Sequence, residues 1–334
     1  IDVDADPTGT TFTWQINSAT NVQIAGGATS GTSTTGNIDL QLNLTDPLVA
    51  GSISFDVTPI NGNCTGATMT NVASITVNPI PGTPIGLLQD EVCSEETTNL
   101  TISAFPNIAG TMLEWVVLES QNVTGATPGT GLAPIQIQDV LVNTSDVQGY
   151  VKYRVTTKLG DCEGGFTDYI IFVDPLPKPV LLDGHICVNQ ATGTTYQSYI
   201  LNTQLNNPNY TYDWFVFNTA TSTFDPIAGA TGSTYEVTTA GEYQVIVTNT
   251  LTGCIGESSA TVIEVFPATG FTTTVTDAFT NNATITITVN PVGTGNLVYS
   301  IDGGAWQTSN VFTGVEAGVH TVLVSDLEGC TNLS

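Results

Sequence analysis

Basic residues are almost absent from this chain. Its 334 residues include 4 Lys and Arg against 30 Asp and Glu, which gives a formal net charge of -26. Neutralising a phosphate backbone takes clustered cations, so the composition excludes a nucleic-acid-binding protein. It also argues against docking on anionic lipid. The sequence has no apolar run of about 18 residues either, so no membrane-spanning segment is expected.

Residues for acid–base or metal chemistry are equally scarce. His185 and His320 are the only histidines, and the sequence has no phosphate-binding loop, nucleophile elbow or HExxH motif. Neighbouring carboxylates such as Glu95 and Glu96 leave acid–base catalysis formally open. Solvated surface carboxylates are the simpler interpretation. We predict that the chain is not an enzyme, has no catalytic residues, and uses both histidines structurally.

The residues that are abundant favour β-structure. Hydrophobic residues make up 40% of the chain and charged residues only 10%, a balance unlike that of a disordered acidic tail. Threonine, valine and isoleucine are plentiful, whereas the helix formers lysine, arginine and methionine are rare. This composition predicts an all-β chain with many turns.

Three landmarks recur along the chain. The first landmark is an aromatic residue in a predicted strand near the middle of each segment. Trp14 and Trp115 are 101 residues apart, and Trp115 and Trp214 are 99 apart. Tyr299 occupies the corresponding position in the fourth segment. Such residues are common packing anchors in β-sandwiches, so we predict that all four are core anchors. The second landmark is a later alternating strand that ends in a Gly-bearing turn with a cysteine, at positions 64, 162, 254 and 330.

The third landmark is proline after the last strand of a segment. Pro79-Ile80-Pro81 and Pro175-Leu176-Pro177 resemble short semi-rigid linkers, because proline cannot donate to a ladder. Units of about 90 residues have the size of immunoglobulin-type sandwiches. We predict four tandem β-sandwich domains in an extended array, at 1–79, 80–174, 175–266 and 267–334. The first is expected to be truncated at its N-terminus, since the chain opens with Ile1 and lacks an early strand.

Cysteine positions predict disulfides. Cys93 and Cys187 each follow a linker, and Cys162 and Cys254 lie at the late turn of the same predicted domain. We predict the pairs Cys93–Cys162 and Cys187–Cys254, with Cys64 and Cys330 left over. Zinc-type clusters are lacking, so disulfides are favoured over metal, and they imply an oxidising compartment.

Calcium is the one cofactor that the sequence suggests. Acidic residues stand at the predicted domain junctions, where a hard cation could stiffen the joint. Solvated acidic surface is the competing interpretation. The weak calcium candidates are Asp2, Asp4, Asp6, Asp90, Glu91 and Asp183.

Two further patterns concern binding. Trp306 and Phe312 are weak candidates for an aromatic platform that binds surface glycans, and packing within the hairpin is the favoured interpretation of both. Lys152, Arg154 and Lys158 predict a local positive stripe that could contact the acidic face of a like chain.

With these landmarks, the chain resembles the tandem immunoglobulin-like or PKD-like repeats of type IX-secreted Bacteroidota surface adhesins, such as the SprB-like gliding-motility adhesins. Residues 85–266 carry one part of the resemblance, through the Trp strand, the Gly-Cys turn and the proline linker. The other part is the stretch 299–330, with Asp302-Gly303-Gly304 as a hairpin turn, which resembles the short β repeat of such adhesins.

The resemblance implies an extracellular position on a bacterial cell surface, a structural or adhesive role, and the type IX export machinery as a partner. Other repeats of the same long chain would be its neighbours. We therefore expect a rigid stalk section of a secreted adhesin or filament. A carbohydrate-binding appendage and a self-assembling extracellular fibre subunit remain the alternatives.

Overall fold

The structure, a computed structural model, describes residues 9–279 and 282–334, and all of its regular elements there are β-strands. This confirms the predicted all-β class. The chain divides into two compact units, Ile1–Pro175 and Leu176–Ser334. Each unit is described by itself below. In the described residues, no helix could span a lipid bilayer.

The first unit begins with residues 9–79, here called the first repeat. Its strands are β1 (Thr11–Thr20), β2 (Val22–Ile24), β3 (Ser30–Ser33), β4 (Leu42–Leu44), β5 (Gly51–Asn61), β6 (Cys64–Thr65) and β7 (Met69–Val77). The main sheet has the order β3-β1-β5, and both β6 and β7 pair with β5; β2 and β4 form a separate pair. Alternate residues of β1 and β5 point inward, because successive side chains of a strand face opposite sides.

The second repeat, residues 80–174, completes the first unit. Its strands are β8 (Thr83–Gly86), β9 (Gln89–Cys93), β10 (Leu100–Phe105), β11 (Met112–Gln121), β12 (Val123–Thr124), β13 (Gly129–Leu132), β14 (Ile135–Ile137), β15 (Val142–Asn143), β16 (Gly149–Leu159) and β17 (Cys162–Asp174). One sheet has the order β13-β11-β16-β17-β9, and β9 runs parallel to β17. The facing sheet is β14-β10-β8, with β12 and β15 paired beside it.

The third repeat, residues 175–266, has the same parallel edge. Its strands are β18 (Gly184–Val188), β19 (Thr195–Gln197), β20 (Tyr199–Asn202), β21 (Tyr210–Asn218), β22 (Thr223–Pro226), β23 (Thr234–Val237), β24 (Gly241–Asn249) and β25 (Ile255–Val265). The main sheet has the order β19-β18-β25-β24-β21-β22, with β18 parallel to β25. Strands β20 and β23 form the second layer.

The fourth repeat, residues 267–334, is the smallest. Its strands are β26 (Phe271–Thr276), β27 (Ala283–Val289), β28 (Leu297–Ile301), β29 (Val311–Val315), β30 (Val322–Asp326) and β31 (Asn332–Leu333). Two three-stranded sheets result, β26-β27-β29 and β28-β30-β31.

The buried hydrophobic residues of the described chain gather in one cluster within each repeat. A fifth cluster consists of Cys187, Val265 and Cys330, and it lies where the third and fourth repeats meet in the second unit. The four-domain division stays a prediction, and the repeats are named here after it. The small fifth cluster leads to the candidate site.

Candidate functional site

A disulfide joins the third and fourth repeats. The Sγ atoms of Cys187 and Cys330 are bonded, the two Cα atoms lie 5.4 Å apart, and 143 positions of sequence separate the residues. Both side chains are buried. Cys187 lies on β18, and Cys330 lies in the turn between β30 and β31. The bond therefore fastens the last turn of the second unit to the edge region of the third repeat.

The predicted pair Cys187–Cys254 is wrong, and strand direction explains why. Cys187 is aligned with Val265 at the end of β25, whereas Cys254 stands just before that strand begins. The two positions are therefore separated by the whole of β25, roughly 36 Å at about 3.3 Å per residue. A disulfide requires Cα atoms within about 7 Å.

The predicted pair Cys93–Cys162 fails for the same reason. Cys93 is aligned with Asp174 at the end of β17, and Cys162 is the first residue of that strand. Cys162 is a free thiol, as is the exposed Cys64. Cys93 and Cys254 each take part in a disulfide. The sequence identified the oxidised chemistry but not the partners, because it does not show that β9 and β18 run parallel to their neighbours.

Hydrogen bonds surround the Cys187–Cys330 bond. The Nε2 atom of His185 lies 2.7 Å from the carbonyl oxygen of Glu328. The hydroxyl of Tyr196 donates to the carbonyl of Cys330 over 2.7 Å. Both contacts link the third repeat to the β30–β31 turn of the fourth. His185 thus has a structural contact, as the sequence analysis expected.

The chain segment between the two repeats is also held by hydrogen bonds. The amide of Phe266 donates to Oγ1 of Thr294 over 2.8 Å, and the amide of Thr294 donates back to the carbonyl of Phe266 over 2.9 Å. The amide of Ala268 donates to Oγ1 of Thr331 over 2.9 Å. The backbone around Pro267 is therefore anchored on both sides. We call this region, with the disulfide, the repeat junction.

Asp326 shapes the turn that carries Cys330. Its carboxylate accepts from the amides of Cys330 and Thr331, each over 2.7 Å, and its side chain is buried. An aspartate at the start of a Gly-bearing turn is a common turn-former, because its oxygens accept backbone amides a few residues on. Neither Asp326 nor Tyr196 was among the predicted site residues. The Asp-x-x-Gly-Cys spacing was a usable signal for Asp326, and no sequence signal pointed to Tyr196.

The repeat junction contains the only group of three potential metal ligands among the described residues. One ligand atom from each of His185, Cys187 and Cys330 lies within 4.8 Å of the others. Metal coordination by cysteine needs the thiolate. Here the two sulfur atoms are bonded to each other, and a ring nitrogen of His185 contacts a carbonyl oxygen. The three residues therefore form a disulfide with a hydrogen-bonded histidine beside it.

The calcium candidates are not gathered into a site in the described residues. Asp2, Asp4 and Asp6 lie outside those residues. Asp90 accepts the amide of Glu91 over 2.9 Å, and Asp183 accepts the amide of Thr261 over 2.7 Å, so each shapes local backbone.

Glu91 is in contact with another carboxyl group, that of Asp174. The amide nitrogen of Gln148 donates to Glu91 over 2.8 Å and to Asp174 over 3.1 Å. Hydrogen bonding with Asp174, followed by burial and by the charge of Asp174, raises the pKa of Glu91. Gln148 therefore holds the two side chains close together.

The predicted aromatic anchors are placed within the cores. Trp14, Trp214 and Tyr299 are buried, and Trp115 is partly buried against the core of the second repeat. The indole N–H of Trp115 donates to the carbonyl of Thr127 over 3.0 Å, and that of Trp214 donates to the carbonyl of Gly232 over 2.9 Å. The second and third repeats therefore fix their core tryptophan in the same way, through an indole hydrogen bond to a backbone carbonyl.

The two glycan-platform candidates differ in exposure. The side chain of Trp306 is 52% exposed, whereas Phe312 packs against the core of the fourth repeat. A platform made of both rings is therefore not formed.

The predicted positive stripe is neutralised by neighbouring strands. Arg154 pairs with Asp168 at 2.8 Å, and Lys152 lies 3.5 Å from the same carboxylate. Lys158 pairs with Glu114. The guanidinium of Arg154 also lies 4.2 Å from the centre of the Phe166 ring. These cations are balanced within their own sheet, so a free positive surface is not present on this strand.

Comparison with known families assigns the chain to a family. The sequence matches the PKD-like domain family over residues 1–81 and again over 90–177, together just over half of the chain. The chain belongs to the PKD-like domain family. Its two matches are consecutive, so the PKD-like repeats are tandem, as the resemblance implied.

Several solved structures match most of this chain at low sequence identity. The human desmocollin-1 ectodomain is 10% identical, with 95% of this chain and 70% of that chain covered and a TM-score of 0.26. Drosophila N-cadherin EC1-4 is also 10% identical, with 98% of this chain and 90% of that chain covered and a TM-score of 0.25. Sidekick-1 immunoglobulin domains 1–4 are 11% identical, with 97% of this chain and 88% of that chain covered and a TM-score of 0.24. A search of the curated proteins found no match.

Proposed function

We propose that this PKD-like chain is a load-bearing structural section of a secreted, adhesion-type surface protein. Three observations support the proposal: tandem repeats, a low proportion of charged residues with almost no lysine or arginine, and a disulfide between repeats. Disulfides persist in oxidising compartments outside the cytosol. The resemblance to type IX-secreted adhesins extends the proposal to display on a bacterial cell surface, in a rigid stalk.

The Cys187–Cys330 bond is the observation that carries the proposal. Hydrogen bonds alone would allow two small repeats to separate under tension, because each contributes only about 1 kcal/mol net. A covalent bond between β18 and the last turn prevents that separation. The buried position of both cysteines also protects the bond from reductants.

Pulling single molecules through attachment points placed just before residue 187 and just after residue 330 tests this function. In the oxidised chain, the residues between positions 187 and 330 are shielded from the force. We expect that the double variant Cys187→Ser/Cys330→Ser releases about 500 Å of additional length, since extended chain spans about 3.5 Å per residue. The matched control is Cys64→Ser, which removes an exposed free thiol and should leave the trace unchanged.

Release of the full length by the oxidised wild-type chain would contradict the load-bearing role. A glycan array is the second measurement. Binding that is lost in Trp306→Ala would identify the chain as a carbohydrate-binding appendage instead, since Trp306 is the exposed ring of the candidate pair.

A further inference from the structure

The cysteines of the repeat junction have a second chemistry, which depends on their oxidation state. His185, Cys187 and Cys330 each place one ligand atom within 4.8 Å of the other two. In the oxidised chain the two sulfur atoms are bonded to each other. Once that bond is reduced, the same three side chains offer two thiolates and one imidazole, a ligand set typical of zinc.

A strand and a turn bring the three ligands together. His185 and Cys187 are two positions apart on β18, so both side chains leave the same face of that strand. Strand β18 is held by its parallel pairing with β25. Cys330 reaches the site from the turn between β30 and β31, where the buried carboxylate of Asp326 accepts its amide over 2.7 Å. The backbone that carries the ligands is therefore fixed by contacts other than the sulfur–sulfur bond.

The separation of the two cysteines suits a metal as well as a disulfide. Their Cα atoms lie 5.4 Å apart. Two sulfur atoms bound to one tetrahedral zinc, each at about 2.3 Å, lie about 3.8 Å from one another. Rotation about the Cα–Cβ bonds of the two opened side chains provides a change of this size. The strand and the turn can therefore stay where they are.

His185 is oriented as zinc-binding histidines are. Its Nε2 atom lies 2.7 Å from the carbonyl oxygen of Glu328. Because a carbonyl oxygen only accepts hydrogen bonds, Nε2 carries the proton of this contact, and Nδ1 of the neutral ring keeps its lone pair. Metal-bound histidines almost always donate their other ring N–H to a carbonyl, a carboxylate or water, which fixes the tautomer and the orientation of the ring.

The carboxylates closest to the site in sequence have other partners. Asp326 accepts the amides of Cys330 and Thr331, and Glu328 accepts the amide of Asn296 over 2.8 Å. The chain thus supplies three ligands, and water takes the fourth position of a tetrahedral zinc ion. The formal net charge of -26 favours the approach of a cation.

We propose that reduction of the Cys187–Cys330 bond converts the repeat junction into a zinc site, with His185, Cys187 and Cys330 as its protein ligands. The reductant is a thiol or a phosphine. With a phosphine, two electrons come from phosphorus and two protons from one water molecule, so that the phosphine becomes its oxide and both cysteines become thiols. Zn²⁺ then displaces one proton from each thiol, and two Zn–S bonds and one Zn–N bond form.

Zinc bound in this way bridges the same elements as the disulfide. Its ligands come from β18 of the third repeat and from the last turn of the fourth. The metal therefore keeps the two repeats joined while the sulfur–sulfur bond is open, and oxidation of the cysteines removes the thiolates that hold it.

Cobalt binding to the full chain tests the site. The chain is reduced with a water-soluble phosphine and titrated with Co²⁺, whose thiolate charge-transfer and visible bands report tetrahedral sulfur coordination, and Zn²⁺ should displace it. We expect the reduced wild type to bind one equivalent more than reduced Cys187→Ser/Cys330→Ser. The unreduced chain should lack this spectrum. Cys64→Ser is the control and should keep it, because Cys64 is an exposed thiol outside the junction.

The two histidines of the chain form a matched pair. His185→Asn removes the nitrogen ligand and should weaken Zn²⁺ binding by the reduced chain at least about tenfold. His320→Asn removes the other histidine, which contacts Asp302, and should bind Zn²⁺ as the wild type does. Equal Zn²⁺ affinity in both variants, or the same Co²⁺ spectrum in the double cysteine variant and the wild type, would overturn the zinc site.

Hydrogen exchange covers the case in which reduction unfolds the second unit. Zn²⁺ should then restore protection in segment 326–331 of the wild type, and His185→Asn should recover less of it. Absence of any recovery in the wild type also contradicts the site.

This proposal goes beyond the load-bearing function. The pulling experiment uses the oxidised chain, whereas zinc binding is measured on the reduced chain without tension. Either proposal can therefore fail without the other.

Discussion

His320 and Asp302 form a charged clasp across the hairpin of the fourth repeat. The Nδ1 atom of His320 lies 2.6 Å from a carboxylate oxygen of Asp302, and its Nε2 atom lies 2.8 Å from the carbonyl of Glu316. The hydrogen bond with Asp302 is the main cause that raises the pKa of His320, and the hydrogen bond from His320 is the main cause that lowers the pKa of Asp302.

The sign of the pH effect follows from these directions. The raised pKa of His320 gives stability that is complete below its ordinary value of 6.5 and is lost as pH rises through the folded-state pKa. The lowered pKa of Asp302 gives stability that is present above 3.8 and is lost as pH falls. We expect His320→Asn to lower the melting temperature most between about pH 4 and pH 6.5, and progressively less as the pH rises above 6.5.

Thermal unfolding across this pH range measures the difference between variant and wild type. Thr308→Ala, an exposed position in the same repeat, is the control and should give a difference that does not change with pH. A constant difference for His320→Asn would show that the clasp does not depend on charge.

A second device at the scale of single residues is the contact of tryptophan with glycine. Trp115 is aligned with Gly129 on the neighbouring strand. A Cβ atom at Gly129 would lie 2.3 Å from Cζ2 of Trp115, closer than atoms can pack. Trp14 and Gly31 repeat the arrangement, with a distance of 2.5 Å. The indole thus occupies the space that a side chain would take.

We expect Gly129→Ala to destabilise the second repeat by about 1–3 kcal/mol, since the ring has to shift out of a packed position. Gly241→Ala is the control, because its nearest neighbours would be 3.7 Å away, and it should change stability by less than about 0.5 kcal/mol. Urea unfolding followed by tryptophan fluorescence measures both. Equal effects would mean that the indole is not fixed by its glycine neighbour.

At the scale of elements, strand direction decided which sequence predictions succeeded. The alternation of Tyr153 and Val155 identified a strand with one buried face, and the structure places both side chains in the core. The disulfide pairs failed because the same alternation is compatible with parallel and antiparallel neighbours. Direction depends on contacts between residues far apart in sequence, such as Val92 with Val173, and no local pattern encodes it.

The disulfide of the repeat junction should dominate the stability of the second unit. Its 143-position separation corresponds to about 5 kcal/mol in the chain-entropy description of the unfolded state. We expect Cys187→Ser/Cys330→Ser to lower the free energy of unfolding of this unit by roughly that amount. Chemical denaturation of the double variant, compared with Cys64→Ser, measures it. A loss below about 1 kcal/mol would show that the hydrogen bonds of His185 and Tyr196 hold the junction by themselves.

At the scale of the whole molecule, composition predicted more than any motif. We expect the excess of acidic residues to oppose association of like chains in solution. The landmarks anticipated tandem repeats, and the family match over 1–81 and 90–177 agrees. The extended arrangement of four domains stays a prediction. The repeat junction was not anticipated, because Cys330 appeared unpaired in a segment with no other cysteine.

The bond between Cys187 and Cys330 affects how the chain responds to proteolysis. Residues 187 and 330 stay connected through sulfur even when the peptide backbone between them is cut once. A single cleavage by an extracellular protease in that stretch leaves the two fragments covalently attached, because the disulfide still joins the segments on either side. At least two failures, one in the backbone and one at the disulfide, are needed before the chain separates there.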